Sequence, residues 1–388
     1  MTTAALLAGS GAAMAAIMLI AALVARYSGF YRHELSHTGN RDLALDGLRG
    51  MAALVVAAHH ASLFRTSLSD GDWGNAHSHF LQALGPGGVV IFFMLTGCLF
   101  WGKARAAGGR MNIWKLWRGR VFRIAPLYLF AVACVFTIGL FRYGPHIFAL
   151  SNLKLLARFA TLGVGKWPLI GTSNLEDINA RVVWTLWYEW RFYLVLPFIA
   201  WFAVGRRTYA LALAVCLAVV TALYFGAYFK TQLWLAFILG MLCPVMLHDQ
   251  HLRAKMRRPT VAVVALVFAV VVWILNGRSD GYLAVAGALF PLFVIVAAGN
   301  SLFGFLTHPA IRCLGTISYS LYLLHGIVFY TLIFVFRQMG MLDWLQAYFW
   351  PVIIITAAGI AGLCSLTYRW IEFPFLAKGR PMDKIPSP

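Results

Sequence analysis

The sequence predicts an all-α, polytopic integral membrane protein, and three observations carry that prediction. Of 388 residues, 61% are hydrophobic and 12% charged, with a mean hydropathy of +0.76. A soluble domain carries about a quarter charged residues. Apolar runs close to the ~20 residues that cross a hydrocarbon core recur along the chain. The basic residues gather in the short stretches between those runs, which is the pattern of positive cytoplasmic loops.

That placement decides what the formal net charge of +19 means. In a soluble chain such an excess suggests nucleic acid. Between apolar runs it sets topology, so no nucleic-acid partner is expected. The six cysteines (98, 134, 216, 243, 313 and 364) sit in or beside apolar runs without close pairing. They read as small buried hydrophobes, and neither a disulfide framework nor a metal site is expected.

Taken in order, residues 3–25 form the first apolar run, with no Lys or Arg before it and Arg26 and Arg32 after it. A signal peptide carries its positive charge upstream. A retained helix with its N-terminus outside is therefore expected, forming with the basic linker Tyr27–Arg41 a leading unit over residues 1–40. Leu45–Arg65 is the second span. Then follow Gly85–Ala104, Phe122–Arg142, Trp184–Val204, Thr208–Phe229, Thr231–Leu247, Thr260–Asn276, Gly281–Gly299, Ile317–Phe336 and Ala347–Tyr368. This gives eleven spans, one leading helix plus ten.

The loops test the count. Lys103–Arg123 holds seven basic residues, and Arg206-Arg207, Arg253–Arg258 and the tail with Lys378, Arg380 and Lys384 fall on the same side by parity. That side is expected to be cytoplasmic, as is the C-terminus. The long loop Tyr143–Val183 is an exception, with Lys154, Arg158, Lys166 and Arg181. Long segments translocate with less regard to charge.

Five polar groupings interrupt the apolar runs. Asp46, Arg49 and His60 share the second span. Arg49 and His60 are eleven residues apart, three turns with roughly 20° of drift, so they share a face and lie about 16 Å apart along the axis. His59 points about 80° away. A neutral imidazole there can act as a general base, and Arg49 can bind phosphate. The plainer reading is a helix-end ion pair and a satisfied core histidine. Gly85–Gly97, ending in Thr96-Gly97, permits close approach of a helix or of an extended ligand; ordinary small-residue packing is favoured. Arg120 and Arg123, at i and i+3, suit a phosphorylated ligand or lipid phosphate. Thr185, Glu189 and Tyr193 fall on one face, and an acidic residue inside an apolar span is functional by default. Ser318, Tyr322 and His325 make a polar stripe, either as a site or as inter-helix glue. Glu372 reads as an interfacial partner of Arg369. This outline fits two classes, a membrane enzyme with a cytosolic phosphorylated donor and a transporter or flippase.

The motifs separate these classes. Asp46-Gly47-Leu48-Arg49 followed by His60, Gly88-Val89 through Phe92-Phe93 and Thr96-Gly97, Arg120-x-x-Arg123-Ile124-x-Pro126, Trp184-Thr185-Leu186-x-x-Glu189 and Ser318-Tyr319-Ser320-Leu321-Tyr322-Leu323-x-His325 stand in order. Together they resemble the membrane-bound acyltransferase-3 family over about residues 41–375. Thr96 stands where Ser is usual. The helix at 3–25 lies outside the usual ten-span core. A short tail, 376–388, is expected to end the chain, without the soluble esterase-like domain of some members.

The resemblance implies a protein of the bacterial inner membrane that moves an acyl group, acetyl foremost, from cytoplasmic acyl-coenzyme A to a hydroxyl of a cell-envelope carbohydrate or lipid-linked sugar. A small secondary metabolite is the alternative acceptor. By the same resemblance His60 is the general base or the acyl carrier. Glu189 orients His60 or holds the acceptor, and Asp46 positions Arg49. Arg49, Arg120, Arg123 and Thr96 take the donor, whose pantetheine arm would thread along the Gly-rich second motif. Tyr193, Ser318, Tyr322 and His325 are the candidate acceptor contacts.

Overall fold

The protein is described from a computed structural model covering residues 2–36, 42–70, 74–144, 161–163, 169–170, 173–205, 229–275 and 282–379. In chain order its helices are α1 (Thr3–Tyr27), α2 (Gly29–Ser36), α3 (Leu43–Asp70), α4 (His79–Ala106), α5 (Ile113–Tyr143) and α6 (Trp184–Ile199). They continue as α7 (Phe229–Met246), α8 (Gln250–Met256), α9 (Pro259–Leu275), α10 (Tyr282–Ala297), α11 (Pro309–Thr316), α12 (Ser318–Gln338), α13 (Leu342–Ala347), α14 (Phe349–Thr367) and α15 (Phe373–Gly379). A two-residue hairpin, Leu169–Ile170 against Ser173–Asn174, is the extended structure among the described residues.

Helices stand at ten of the eleven expected spans; the eleventh, Thr208–Phe229, lies almost wholly outside the described residues, as do Arg206, Arg207 and Cys216. Among the described residues, Thr3–Tyr27, His79–Ala106, Ile113–Arg142, Ser318–Gln338 and Phe349–Leu376 are long and apolar enough to cross a membrane. α9 turns Val263, Val264, Val267 and Val270 outward, and an apolar outer surface of this kind suits contact with lipid. The protein is an all-α, multi-pass membrane protein.

α3 is the centre of the bundle, packed against α1, α4, α10, α11, α12 and α13. Small side chains let its neighbours come close: Ala52, Ala53, Ala57 and Ala61 are all buried, and close backbone approach is what holds helices together in lipid. This explains how one helix can carry Asp46, Arg49 and two histidines. Its two histidines face other helices, where partners are available. Asp42 caps α3 by accepting from the amides of Ala44 (3.1 Å) and Leu45 (3.2 Å).

The glycines of α4 serve packing. A Cβ at Gly97 would collide with the carbonyl of Phe237 on α7, and one at Gly240 would collide with that of Met94, so the two helices meet backbone to backbone. Gly88 abuts Val56 and Ala52 of α3, and Gly85 abuts the His59 ring. Packing is therefore the role of these glycines, as favoured from the sequence, while Phe92 and Thr96 of the same stretch line a cavity.

The residues before α3 are also tied in. α1 packs on α11 and α14. α2, within the expected linker, is anchored by Tyr31 Oη donating to the Ser365 carbonyl (2.7 Å) and by Arg312 donating to the Leu35 carbonyl (2.6 Å). The basic loops meet at one end of the bundle. Arg105 donates to the Ala203 carbonyl there (3.2 Å), and Arg257 to that of Ala298 (2.7 Å).

Candidate active site

A cavity of about 980 Å³ opens at that basic end, between the N-terminus of α3, the C-terminal half of α4, the start of α5, α6 and the α11–α12 junction. Six basic side chains line it (Arg49, Lys103, Arg110, Lys115, Arg120 and Arg123) against three acidic ones, Asp42, Asp46 and Glu189. Such a surplus, rich in guanidinium forks, suits a polyanionic ligand such as a phosphate ester. Burial raises the Asp42 carboxyl above the ordinary carboxylate range, and its two amide hydrogen bonds oppose that rise.

Local geometry fixes each guanidinium. Arg49 is held by Asp46 one turn earlier, Nη1 to Oδ1 at 3.1 Å. Arg120 lies over the rings of Phe100 (4.8 Å) and Tyr193 (5.5 Å). Arg123 donates to Glu372 Oε2 at 2.9 Å and lies over Tyr319. The structure thus brings three arginines from two distant segments onto one cavity.

Glu372 corrects the sequence reading. It does not pair with Arg369 at the interface; Arg369 lies over the Phe30 and Trp370 rings. The end of α14 widens into a π-turn, Tyr368–Glu372, which shifts the side-chain phase by one residue. Glu372 thereby points inward at 1% exposure and accepts from both Arg123 and Ser320. Thr367 extends the chain by donating to Ser320 Oγ at 2.9 Å.

Beside these charges the walls carry polar and aromatic side chains. Thr185, Glu189 and Tyr193 of α6 line one side, Phe92 and Thr96 of α4 another, and Ser318 and Tyr322 of α12 a third. Glu189 accepts from Tyr193 Oη (2.9 Å), so its described partner is not His60. Tyr322 Oη and Thr185 Oγ1 lie 3.0 Å apart. Ser318 donates to the Gly315 carbonyl. Phe92 and Tyr322 meet edge to face on the cavity wall, ring centroids 5.4 Å apart.

The histidines lie in the next layer. His60 and His325 are not cavity-lining residues; they face each other, His60 Nδ1 to His325 Nε2 at 2.9 Å. His325 is fully buried, whereas His60 keeps some exposure. His59 turns away, with Nδ1 2.8 Å from the Leu81 carbonyl, and is a satisfied core histidine. Arg49 and His60 therefore share α3 but not the cavity wall. The His60–His325 and Arg123–Glu372 pairs join residues 265 and 249 positions apart. The i, i+3 spacing of Asp46 and Arg49 and the i, i+4 spacing of Glu189 and Tyr193 did carry a local signal for their pairs.

Residues 42–368 match the family described as an acyltransferase domain. The chain is also similar to the O-acetyltransferase OatA of Staphylococcus aureus, strains NCTC 8325 / PS 47, COL and MRSA252. Each is 26% identical over 389 aligned residues, covering 90% of this chain and 60% of the relative. The chain thus spans about three-fifths of the length of these curated relatives. No solved structure matches it. The family match extends over far more than half of the chain and runs from the cap of α3 to the π-turn after α14, and the chain belongs to the acyltransferase-3 family.

Proposed function

We propose that this protein is a membrane O-acyltransferase. It takes an acyl group, acetyl foremost, from cytoplasmic acyl-coenzyme A and delivers it to a hydroxyl of a cell-envelope carbohydrate or lipid-linked glycan of a bacterial inner membrane. The observation that carries this reading is the cavity lined by six basic side chains, whose aromatic wall at Phe92 and Tyr322 adjoins a histidine pair. A coenzyme A donor has the matching polarity, with phosphates at one end and an uncharged thioester at the other. The cytoplasmic side is then the basic end, with the N-terminus outside and the C-terminus inside. The relatives named as O-acetyltransferases support the acetyl group and the oxygen acceptor.

In this reading Arg49, Arg120 and Arg123 hold the phosphates. The arm runs past Thr96 and Phe92, and the thioester lies toward the histidine layer beside Tyr322. In the base route, His60 takes the proton of the acceptor hydroxyl as its oxygen attacks the thioester carbonyl. The carbon–sulfur bond breaks, and the departing thiolate takes the proton back from His60. In the covalent route the same nitrogen carries the acyl group between donor and acceptor. Glu189 and Tyr193, and Ser318 near the cavity's inner wall, are placed to order whichever substrate passes them.

Equilibrium binding of coenzyme A to the purified protein in detergent tests the donor. Saturable binding that weakens when Arg120 is replaced by Gln is expected. Failure of the wild-type protein to bind would remove the donor from the account and return the cavity to a transporter.

A further inference from the structure

We propose that His325 is a positioning residue that leaves Nε2 of His60 bare as the reactive nitrogen. The inference rests on the reading of His60 as base or carrier, and it takes His325 out of the set of acceptor contacts.

The argument is a chain of hydrogen bonds with one consistent solution. His325 Nδ1 lies 2.8 Å from the carbonyl of Leu321, one turn back on α12. A carbonyl only accepts, so Nδ1 of His325 carries the proton, and Nε2 of the neutral ring is an acceptor. That Nε2 lies 2.9 Å from His60 Nδ1. His60 Nδ1 also lies 3.0 Å from the carbonyl of Val56, one turn back on α3. Both neighbours accept, so His60 holds its proton on Nδ1 and shares it between them. Nε2 of His60 is left with a lone pair.

Burial strengthens the assignment. His325 has no exposure, and its two ring nitrogens are both used, so it has no free nitrogen to offer a substrate. His60 is the less buried of the two. When His60 takes a proton on Nε2, its Nδ1–H is already held by two acceptors, and charge-assisted hydrogen bonds are the stronger ones. The pair is thus preorganised for an imidazolium without moving either ring.

Gln and Leu at position 325 separate positioning from packing. The Gln side chain offers an amide oxygen to His60 Nδ1; Leu offers none. His325→Leu is expected to lower kcat about 100-fold, with KM for acyl-coenzyme A within about twofold of wild type. His325→Gln is expected to restore kcat to within about fivefold. Nitrogen-15 spectra of histidine-labelled protein in detergent, with the His60 signal assigned by its loss in His60→Gln, should show a protonated Nδ1 and a bare Nε2. The Gln variant should keep that signature. A His60 signal protonated at Nε2, or a folded Leu variant with wild-type kcat, would overturn the proposal. Should the Leu variant not fold, the wild-type and Gln spectra still decide the matter. The spectra need no substrate, so they stand or fall separately from the acyl-transfer reading.

Discussion

Arg123 and Glu372 lie 249 residues apart in the chain and 2.9 Å apart in the fold, where a guanidinium on the cavity wall meets a carboxylate at 1% exposure. Glu372 has a second donor in Ser320, so the carboxylate is doubly satisfied. Removing the carboxylate leaves the buried Ser320 hydroxyl and the partly exposed Arg123 without that acceptor, at about 1–3 kcal/mol for the buried donor. Glu372→Ala is therefore expected to lower the unfolding midpoint in detergent sharply and to weaken the donor by freeing Arg123. Glu372→Gln keeps one acceptor oxygen for Arg123 and turns its amide NH2 to the Ser320 hydroxyl oxygen, so it should lose less on both counts. Equal losses in the two variants would argue against this role.

The three arginines of the cavity should act on the donor before chemistry. Replacing Arg49, Arg120 or Arg123 singly by Gln is expected to raise KM for acyl-coenzyme A about tenfold, with kcat within about threefold. Added salt should blunt the difference between wild type and variants, because the cavity mouth is open to solvent. Initial rates over a range of donor concentrations provide the check. A fall in kcat at unchanged KM would place these arginines in the chemical step instead.

The α4–α7 contact gives a prediction about stability alone. Gly97→Ala inserts a methyl group against the Phe237 carbonyl, and overpacking of this kind costs about 1–3 kcal/mol. Gly287→Ala in α10 meets nothing within 4 Å, and Ala is the better helix former by about 1 kcal/mol. Thermal unfolding in one detergent should rank the Gly287 variant at or above wild type and the Gly97 variant below it. The reverse order would mean that α4 and α7 do not meet at these glycines.

The legibility of the chain follows from how far each signal reaches. Apolar run length reads helices well: helices stand at ten of the expected runs, and among the described residues five of them are long and apolar enough to cross a membrane. Helix phase also reads local faces well: Thr185, Glu189 and Tyr193 do line one wall. It did not place His60, because phase gives a direction around α3 and not how far along the helix the cavity reaches. It misplaced Glu372 because a π-turn breaks the 3.6-residue count just before that residue. It left the glycines of α4 open between packing and ligand, since only the partner helix shows what fills the space. His325 looked like a site residue on its own stripe, yet its partner lies 265 positions away.

The central claim is that His60 performs acyl transfer on a donor bound at the basic end. Membrane vesicles containing wild-type protein or His60→Ala, supplied with labelled acetyl-coenzyme A, test it most directly. The account predicts that label in the carbohydrate fraction falls at least about 100-fold in the variant, while the variant still binds coenzyme A. Undiminished label in carbohydrate from His60→Ala would contradict it.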